Sequence, residues 1–168
     1  VDEAQVREVI GSFVGGYDQI PPMYSALKVN GKKLYELARA GKEVERQARH
    51  VDLPAIEILE IRLPVVKFRV ECSKGTYIRS LCADIGGKLG CGGTMQSLVR
   101  TRVGEFRLTD ALTLTQLQEL RDTGRLEEAL LPTDRIFADF NAVHVEEKWR
   151  KLIDNGNAFY PGQTMEQT

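Results

Sequence analysis

No run of about 18 apolar residues occurs in these 168 residues, which excludes a transmembrane helix. Histidine is scarce. His50 and His144 are the only two, and neither has a serine or cysteine partner suggested by spacing, so a hydrolase triad is set aside. The three cysteines, Cys72, Cys82 and Cys91, form no Cys-x-x-Cys pair, which argues against zinc. Their odd number fits a reducing cytosol, with each thiol as a small buried apolar group. The phosphate-cradling pattern Gly-x-x-x-x-Gly-Lys-Ser/Thr is missing. Internal repeats and low-complexity tracts are missing too.

What is present is a segregated charge. The formal net charge of −1 hides a middle segment, residues 19–107, with sixteen basic against nine acidic side chains. Residues 1–18 carry one basic and four acidic residues, and residues 108–168 carry six and eleven. A basic middle between acidic ends suggests a surface that faces a polyanion, although a solvated face with scattered charges gives the same count. The length suits one domain, or one domain and part of another. Val1 falls inside an expected helix and Thr168 among polar residues, so an excerpt of a longer chain is expected.

Hydrophobic spacing predicts the elements. Val6, Val9, Ile10 and Phe13 recur at helical intervals, with a stop near Gly15-Gly16. Gln19-Ile20-Pro21-Pro22-Met23-Tyr24 has two prolines and reads as a fixed, extended loop. Ser25 to Val29 predicts a short strand entering an Asn30-Gly31 turn. Leu34, Leu37 and Ala38 mark a helix that Gly41 closes. One or two strands follow between Arg49 and Leu63. Val66, Phe68, Val70 and Cys72 then alternate against Lys67, Arg69 and Glu71, the clearest strand of the chain. At Thr76, read as an N-cap, the period switches, and Ile78, Leu81, Cys82, Ile85 and Leu89 share one helical face up to Gly90. Leu98, Val99, Val103 and Phe106 mark an extended segment among Arg100, Arg102 and Arg107. A helix starting at Thr113 is expected through Leu117 and Leu120 and on towards Leu126 to Leu130. A short strand and a short helix, Glu146 to Ile153, are expected beyond Phe140.

The junction Ser73 to Arg79 is the most informative stretch. Helix N-terminal N–H groups favour an anion, and Lys74 adds a positive charge. Tyr77 and Arg79 lie about 200° apart around the helix axis and project in different directions. An aromatic beside a guanidinium suits an unstacked base and a carboxylate or phosphate. A structural turn with a surface lysine and a half-buried tyrosine fits the same residues. A second basic segment, Lys28 to Arg49, holds seven Lys or Arg against three Glu. With Tyr24 and Tyr35 it either grips a nucleic-acid backbone and a base or forms a solvated helix with Glu36–Lys33 and Glu43–Arg46 pairs.

Three long motifs carry a resemblance. They are Gln19-Ile20-Pro21-Pro22-Met23-Tyr24-Ser25-Ala26-Leu27-Lys28-Val29-Asn30-Gly31 with its continuation to Arg39, Cys72-Ser73-Lys74-Gly75-Thr76-Tyr77-Ile78-Arg79-Ser80-Leu81, and Leu98 to Phe106. In this order they resemble the bacterial TruB-type tRNA pseudouridine synthases. The resemblance implies isomerisation of uridine 55 in the T-arm of tRNA, with no cofactor and no metal. It implies an α+β fold, a mixed and largely antiparallel sheet flanked by helices, here partial. Residues 1–137 would be the C-terminal part of the catalytic domain, and residues 138–168 the start of a small PUA-like β domain. By the same resemblance Tyr77 stacks on the target base, Arg79 pairs with the catalytic aspartate, and Leu98 contacts substrate. Lys28 and the Lys32-Lys33 pair would be RNA-backbone contacts, and Asp84 is structural; Lys74 and Arg100 join the expected substrate contacts on their charge.

The departure is as informative as the match. The family's nucleophile sits in a Gly-Thr-Leu-Asp-type motif upstream of the Pro-Pro segment, and no such motif occurs here. The expectation is therefore an enzyme piece that is inactive alone, located in the cytoplasm, partnered by the tRNA T-arm stem-loop and open to self-association through uncovered strand edges. A non-catalytic RNA-binding module on the same fold is the alternative.

Overall fold

The computed structural model describes residues 1–158 and 160–164, which form two compact units dividing between Leu98 and Val99. The first unit opens with helix α1, Glu3–Gly11. Asp2 caps it: the carboxylate accepts from the Gln5 N–H at 2.9 Å, and the Gln5 side chain accepts from the Asp2 N–H at 2.9 Å. The regular helix ends a turn before the expected Gly15-Gly16 stop. The Ser12 hydroxyl donates to the Val9 carbonyl, a bond that satisfies an end carbonyl, and Phe13 continues as a turn. Gly16 has φ +129°, and a Cβ there would collide with the Val51 carbonyl, so the chain can pass this close only as glycine.

Strand β1, Tyr17–Gln19, pairs antiparallel with β4, Arg49–Val51. Between them lies a hairpin of β2, Lys28–Val29, and β3, Lys32–Lys33, turned on Asn30 (φ 50°) and Gly31 (φ 79°). Both turn residues have positive φ, which is why Asn-Gly stands there. Helix α2, Leu34–Arg39, follows directly, and Gly41 lies just past its end as expected.

The long hairpin is β5, Ala55–Arg62, against β6, Val65–Glu71. Ile58 faces Phe68 and Glu60 faces Lys67, so Leu59 is the extra residue of a bulge. The bulge shifts the alternation by one, and Ile56, Ile58 and Ile61 all pack on the core although the last two are three apart. Val66, Phe68 and Val70 do the same from β6. Helix α3, Ile78–Lys88, lays Leu81 and Ile85 into a cluster with Val6, Ile10, Phe13 and Leu53.

Gly86 touches the backbone of Gly92 and Gly93 so closely that any Cβ would overlap main-chain atoms, whereas Gly87 opens onto free space. Gly86→Ala is expected to cost about 3 kcal/mol, because the clash falls on backbone that cannot rotate away. Gly87→Ala should instead stabilise by about 0.5–1 kcal/mol through lost chain entropy. Urea midpoints of the two variants check the contrast, and equal shifts would contradict it.

The second unit holds a small hairpin of β7, Arg102–Val103, and β8, Phe106–Arg107, turned at Gly104. Helix α4, Leu114–Asp122, starts at Thr113, whose hydroxyl accepts from the Gln116 N–H. It stops at Asp122, short of the expected Leu126 to Leu130, because Gly124 takes φ 72° and the chain re-enters as a 3-10 turn at Leu126–Ala129. The strand expected beyond Phe140 is reduced to one bridge between Val145 and Thr164. The helix expected from Glu146 becomes a 3-10 turn, Glu147–Trp149, and α5, Arg150–Asp154. None of this unit's described residues is buried.

The fold is α+β, as expected, and every strand pair among the described residues is antiparallel. Among the described residues the strands form four separate two-stranded sheets. No helix among them is long and apolar enough to cross a membrane.

Candidate active-site wall

The end of β6 feeds a turn that is tied down twice. The Ser73 N–H donates to the Asp52 carbonyl at 2.9 Å, and the Ser73 hydroxyl accepts from the Asp52 N–H at 3.0 Å. Gly75 takes φ 91° and exposes Lys74 at the tip of the turn. The Thr76 hydroxyl donates back to the Ser73 carbonyl at 2.9 Å, so it closes the turn and does not cap the helix. That corrects the N-cap expected from sequence. The cap position is Tyr77, whose own side chain makes no capping bond.

What satisfies the helix start comes from 58 residues earlier in the chain. The Gln19 Oε1 accepts from the Tyr77 N–H at 2.8 Å, and the Gln19 Nε2 donates to the Tyr77 carbonyl at 3.1 Å. Gln19 is only 2% exposed, and a buried amide without partners is costly, so this two-point grip also explains why a polar side chain is tolerated there. The Gln19 Nε2 donates as well to the Tyr17 hydroxyl at 2.6 Å, and that hydroxyl donates to the Asp84 Oδ2 at 2.8 Å. Burial first, then the bond to the Asp84 carboxylate, raises the Tyr17 pKa well above its ordinary value, while the Gln19 bond pulls it down, and the phenol stays protonated. Asp84 is thus a structural acceptor, as read from sequence.

The extended loop after Gln19 runs over the same helix turn. The Ser80 hydroxyl donates to the Ile20 carbonyl at 3.3 Å, and the Arg79 Nη2 donates to the Tyr24 carbonyl at 2.8 Å. Arg79 itself is exposed and Tyr77 half-buried. A guanidinium held through one nitrogen keeps its remaining N–H donors for a planar anion. An aromatic and a cation two residues apart therefore start a helix that is fixed from behind, each on its own side of the axis.

The other predicted residues are placed less closely. Lys28 is exposed on β2. Leu98 is 54% exposed in an irregular segment at the end of the first unit. Arg100 is exposed in the second unit. Tyr35, expected beside a base, is occupied by its own chain: the Lys33 Nζ and the Arg39 guanidinium each lie 5.4 Å from its ring centre, and the Lys33 Nζ donates to its hydroxyl at 3.3 Å. Tyr35 thus gathers cations. Of the expected pairs, Glu43–Arg46 forms at 3.0 Å, but Glu36 accepts from the Lys33 backbone N–H and not from its ammonium. Sequence reasoning missed Gln19 and Tyr17. The one local signal was a glutamine ending a strand two residues before Pro21-Pro22, a place where a polar side chain needs a reason.

The model of the TruB family pseudouridylate synthase N-terminal domain matches residues 1–78, and that of the tRNA pseudouridylate synthase B C-terminal domain matches residues 79–138. The chain belongs to the TruB family. The two matches meet at the start of α3, so Tyr77 falls in one and Arg79 in the other. Among TruB relatives, the tRNA pseudouridine synthase B of Clostridium acetobutylicum is 51% identical over 154 residues, 92% of this chain and 52% of that protein. The enzyme of the same name from Dechloromonas aromatica is 48% identical over 157 residues, 94% of this chain and 52% of its own. The chain spans about half the length of the curated relatives it matches.

Two solved structures are also similar over 98% of the chain. One is a chain of a Cbf5-Nop10-Gar1 complex, with TM-score 0.74, 28% identity and 47% of that chain covered. The other belongs to an H/ACA RNP bound to a substrate RNA containing 2'-deoxyuridine, with TM-score 0.69, 25% identity and 46% covered. These relatives do not favour the alternative of a non-catalytic RNA-binding module.

Proposed function

We propose that this chain supplies one wall of the active site of a tRNA pseudouridine synthase that converts uridine 55 of the T-arm. The observation that carries the reading is the locked helix start that holds both Tyr77, through its backbone on Gln19, and Arg79, exposed and bonded to the Tyr24 carbonyl. In the full-length protein an aspartate from outside this stretch attacks the flipped-out nucleotide, the glycosidic bond breaks, and the base turns and rejoins through carbon. One proton leaves that carbon and one is taken up by the freed nitrogen, so the reaction is an isomerisation. Arg79 holds the aspartate ionised, since a neighbouring cation lowers a carboxylate pKa. Tyr77 stacks on the base once it has left the helix, and Leu98 covers it. Lys28, Lys74 and Arg100 meet phosphates.

Residues 1–137 belong, on this reading, to the catalytic domain, and residues 138–168 begin a PUA-like domain. The protein works in the cytoplasm. The chain alone is inactive, and the two-stranded β5–β6 sheet, which gains no third strand among the described residues, favours self-association.

The test is conversion of a T-arm stem-loop by the full-length protein. Pseudouridine at the single target position is expected, and binding without conversion would overturn the reading. Binding should weaken with salt. Replacing Lys28, Lys74 and Arg100 together with alanine should flatten the slope of log affinity against log salt by about 2, since each lost phosphate contact removes about 0.7–0.9. An unchanged slope would remove all three from the RNA surface.

A further inference from the structure

Gln19, the last residue of β1, does more than fill space, given how its amide is wired. Both of its polar atoms are used on the backbone of one residue, the N–H and the carbonyl of Tyr77. Its second Nε2 hydrogen goes to the Tyr17 hydroxyl, which can accept because its own hydrogen goes to Asp84. The network therefore has one consistent direction. Asp84 can only accept, Tyr17 must donate to it, and the amide is left with its nitrogen towards Tyr17 and its oxygen towards the Tyr77 N–H. A flipped amide would set the oxygen against the Tyr77 carbonyl and break the set.

The same helix turn is tied twice more by the loop that Gln19 begins, through the Ser80 hydroxyl on the Ile20 carbonyl and through Arg79 on the Tyr24 carbonyl. Pro21 and Pro22 stiffen that loop between its two contacts. We infer that Gln19, oriented by Tyr17 and Asp84, is a positioning residue that sets where the Tyr77 ring and the Arg79 guanidinium stand. The inference rests on the proposed synthase reading for its chemistry. It rests on Gln19 geometry alone for the backbone it holds. A buried side chain acting through another residue's main chain should affect the rate of the reaction more than the grip on RNA.

The experiment uses the full-length protein with Gln19→Met, which keeps length and loses all three hydrogen bonds, and Tyr17→Phe, which removes only the group that orients the amide. Three quantities are read: single-turnover conversion of a T-arm stem-loop, its Kd, and hydrogen exchange of the Tyr77 amide. For Gln19→Met the expected result is a turnover loss of about 10–100-fold, the scale of a small misplacement of reacting groups, with Kd within about threefold. The Tyr77 amide should exchange at least about tenfold faster, while amides of the β5–β6 ladder keep their protection. Tyr17→Phe should lose about 3–10-fold in turnover and add little in the Gln19→Met background, because the two act through one network.

Turnover within threefold of the unmodified protein, despite an unprotected Tyr77 amide, would reduce Gln19 to local structure and overturn the inference. So would an unchanged Tyr77 exchange rate. If Gln19→Met does not fold, Tyr17→Phe decides, and full turnover in that variant sinks the idea. If the unmodified full-length protein forms no pseudouridine, the synthase reading fails, and the Tyr77 exchange rate alone judges the clamp.

Discussion

Arg79→Ala in the full-length protein is expected to lower pseudouridine formation by about 10²–10³-fold while changing RNA affinity only a few-fold, the scale seen when one preorganised electrostatic partner is removed from a site. Arg79 sits at the start of α3, exposed, with one Nη2 bond to the Tyr24 carbonyl holding its plane. Its proposed partner is a carboxylate that must stay ionised to act as a nucleophile. Without the guanidinium that carboxylate loses its charge partner, its pKa rises, and the attacking form becomes rarer and less well aimed. Arg79→Lys should recover little, because an ammonium cannot bond Tyr24 and a carboxylate in one plane. The check is a single-turnover rate measured beside a Kd on the same stem-loop. A variant that binds tenfold more weakly and turns over normally would make Arg79 a phosphate contact instead.

The second large effect concerns stability. Leu81 is 0% exposed, one helical turn behind Tyr77, and its N–H donates to the Tyr77 carbonyl. Its side chain belongs to the core cluster with Val6, Ile10, Phe13, Leu53 and Ile85. Leu81→Ala is expected to cost about 2–5 kcal/mol, lost transfer energy plus the cavity left behind. The upper half of that range is favoured because α3 is tied at its start by Gln19 and against Gly92 and Gly93 further along, so it cannot collapse into the space. Urea unfolding measures it. A loss below about 1 kcal/mol would mean that the helix does relax, and that the clamp on its first turn is softer than described.

These two residues illustrate what could be read from the chain without its structure. The face Ile78, Leu81, Cys82, Ile85 and Leu89 was legible as a helix because period 3.6 follows directly on the period-2 run of β6. The Asn30-Gly31 hairpin was legible because few residues accept two positive φ values in succession. The bulge at Leu59 was not, since an extra residue in a strand looks locally like one more alternation. Thr76 was misread as a cap because sequence shows that a threonine precedes a helix, but not that its hydroxyl is already committed to Ser73. Gln19 was marked by its place at a strand end, but what it binds was not legible, for a similar reason. Its partner is 58 residues away, and local spacing says nothing about a contact set by the tertiary fold. Tyr77 and Arg79 were identified by resemblance to a family, and the residues alone left a plain structural turn the readier reading.

The most direct measurement of the central claim compares two proteins on one T-arm stem-loop: the full-length protein and this 168-residue chain by itself. The account predicts that the full-length protein converts its target uridine to pseudouridine and that the chain alone forms none, because the Tyr77 and Arg79 wall has no nucleophilic carboxylate of its own. Turnover by the isolated chain would contradict it.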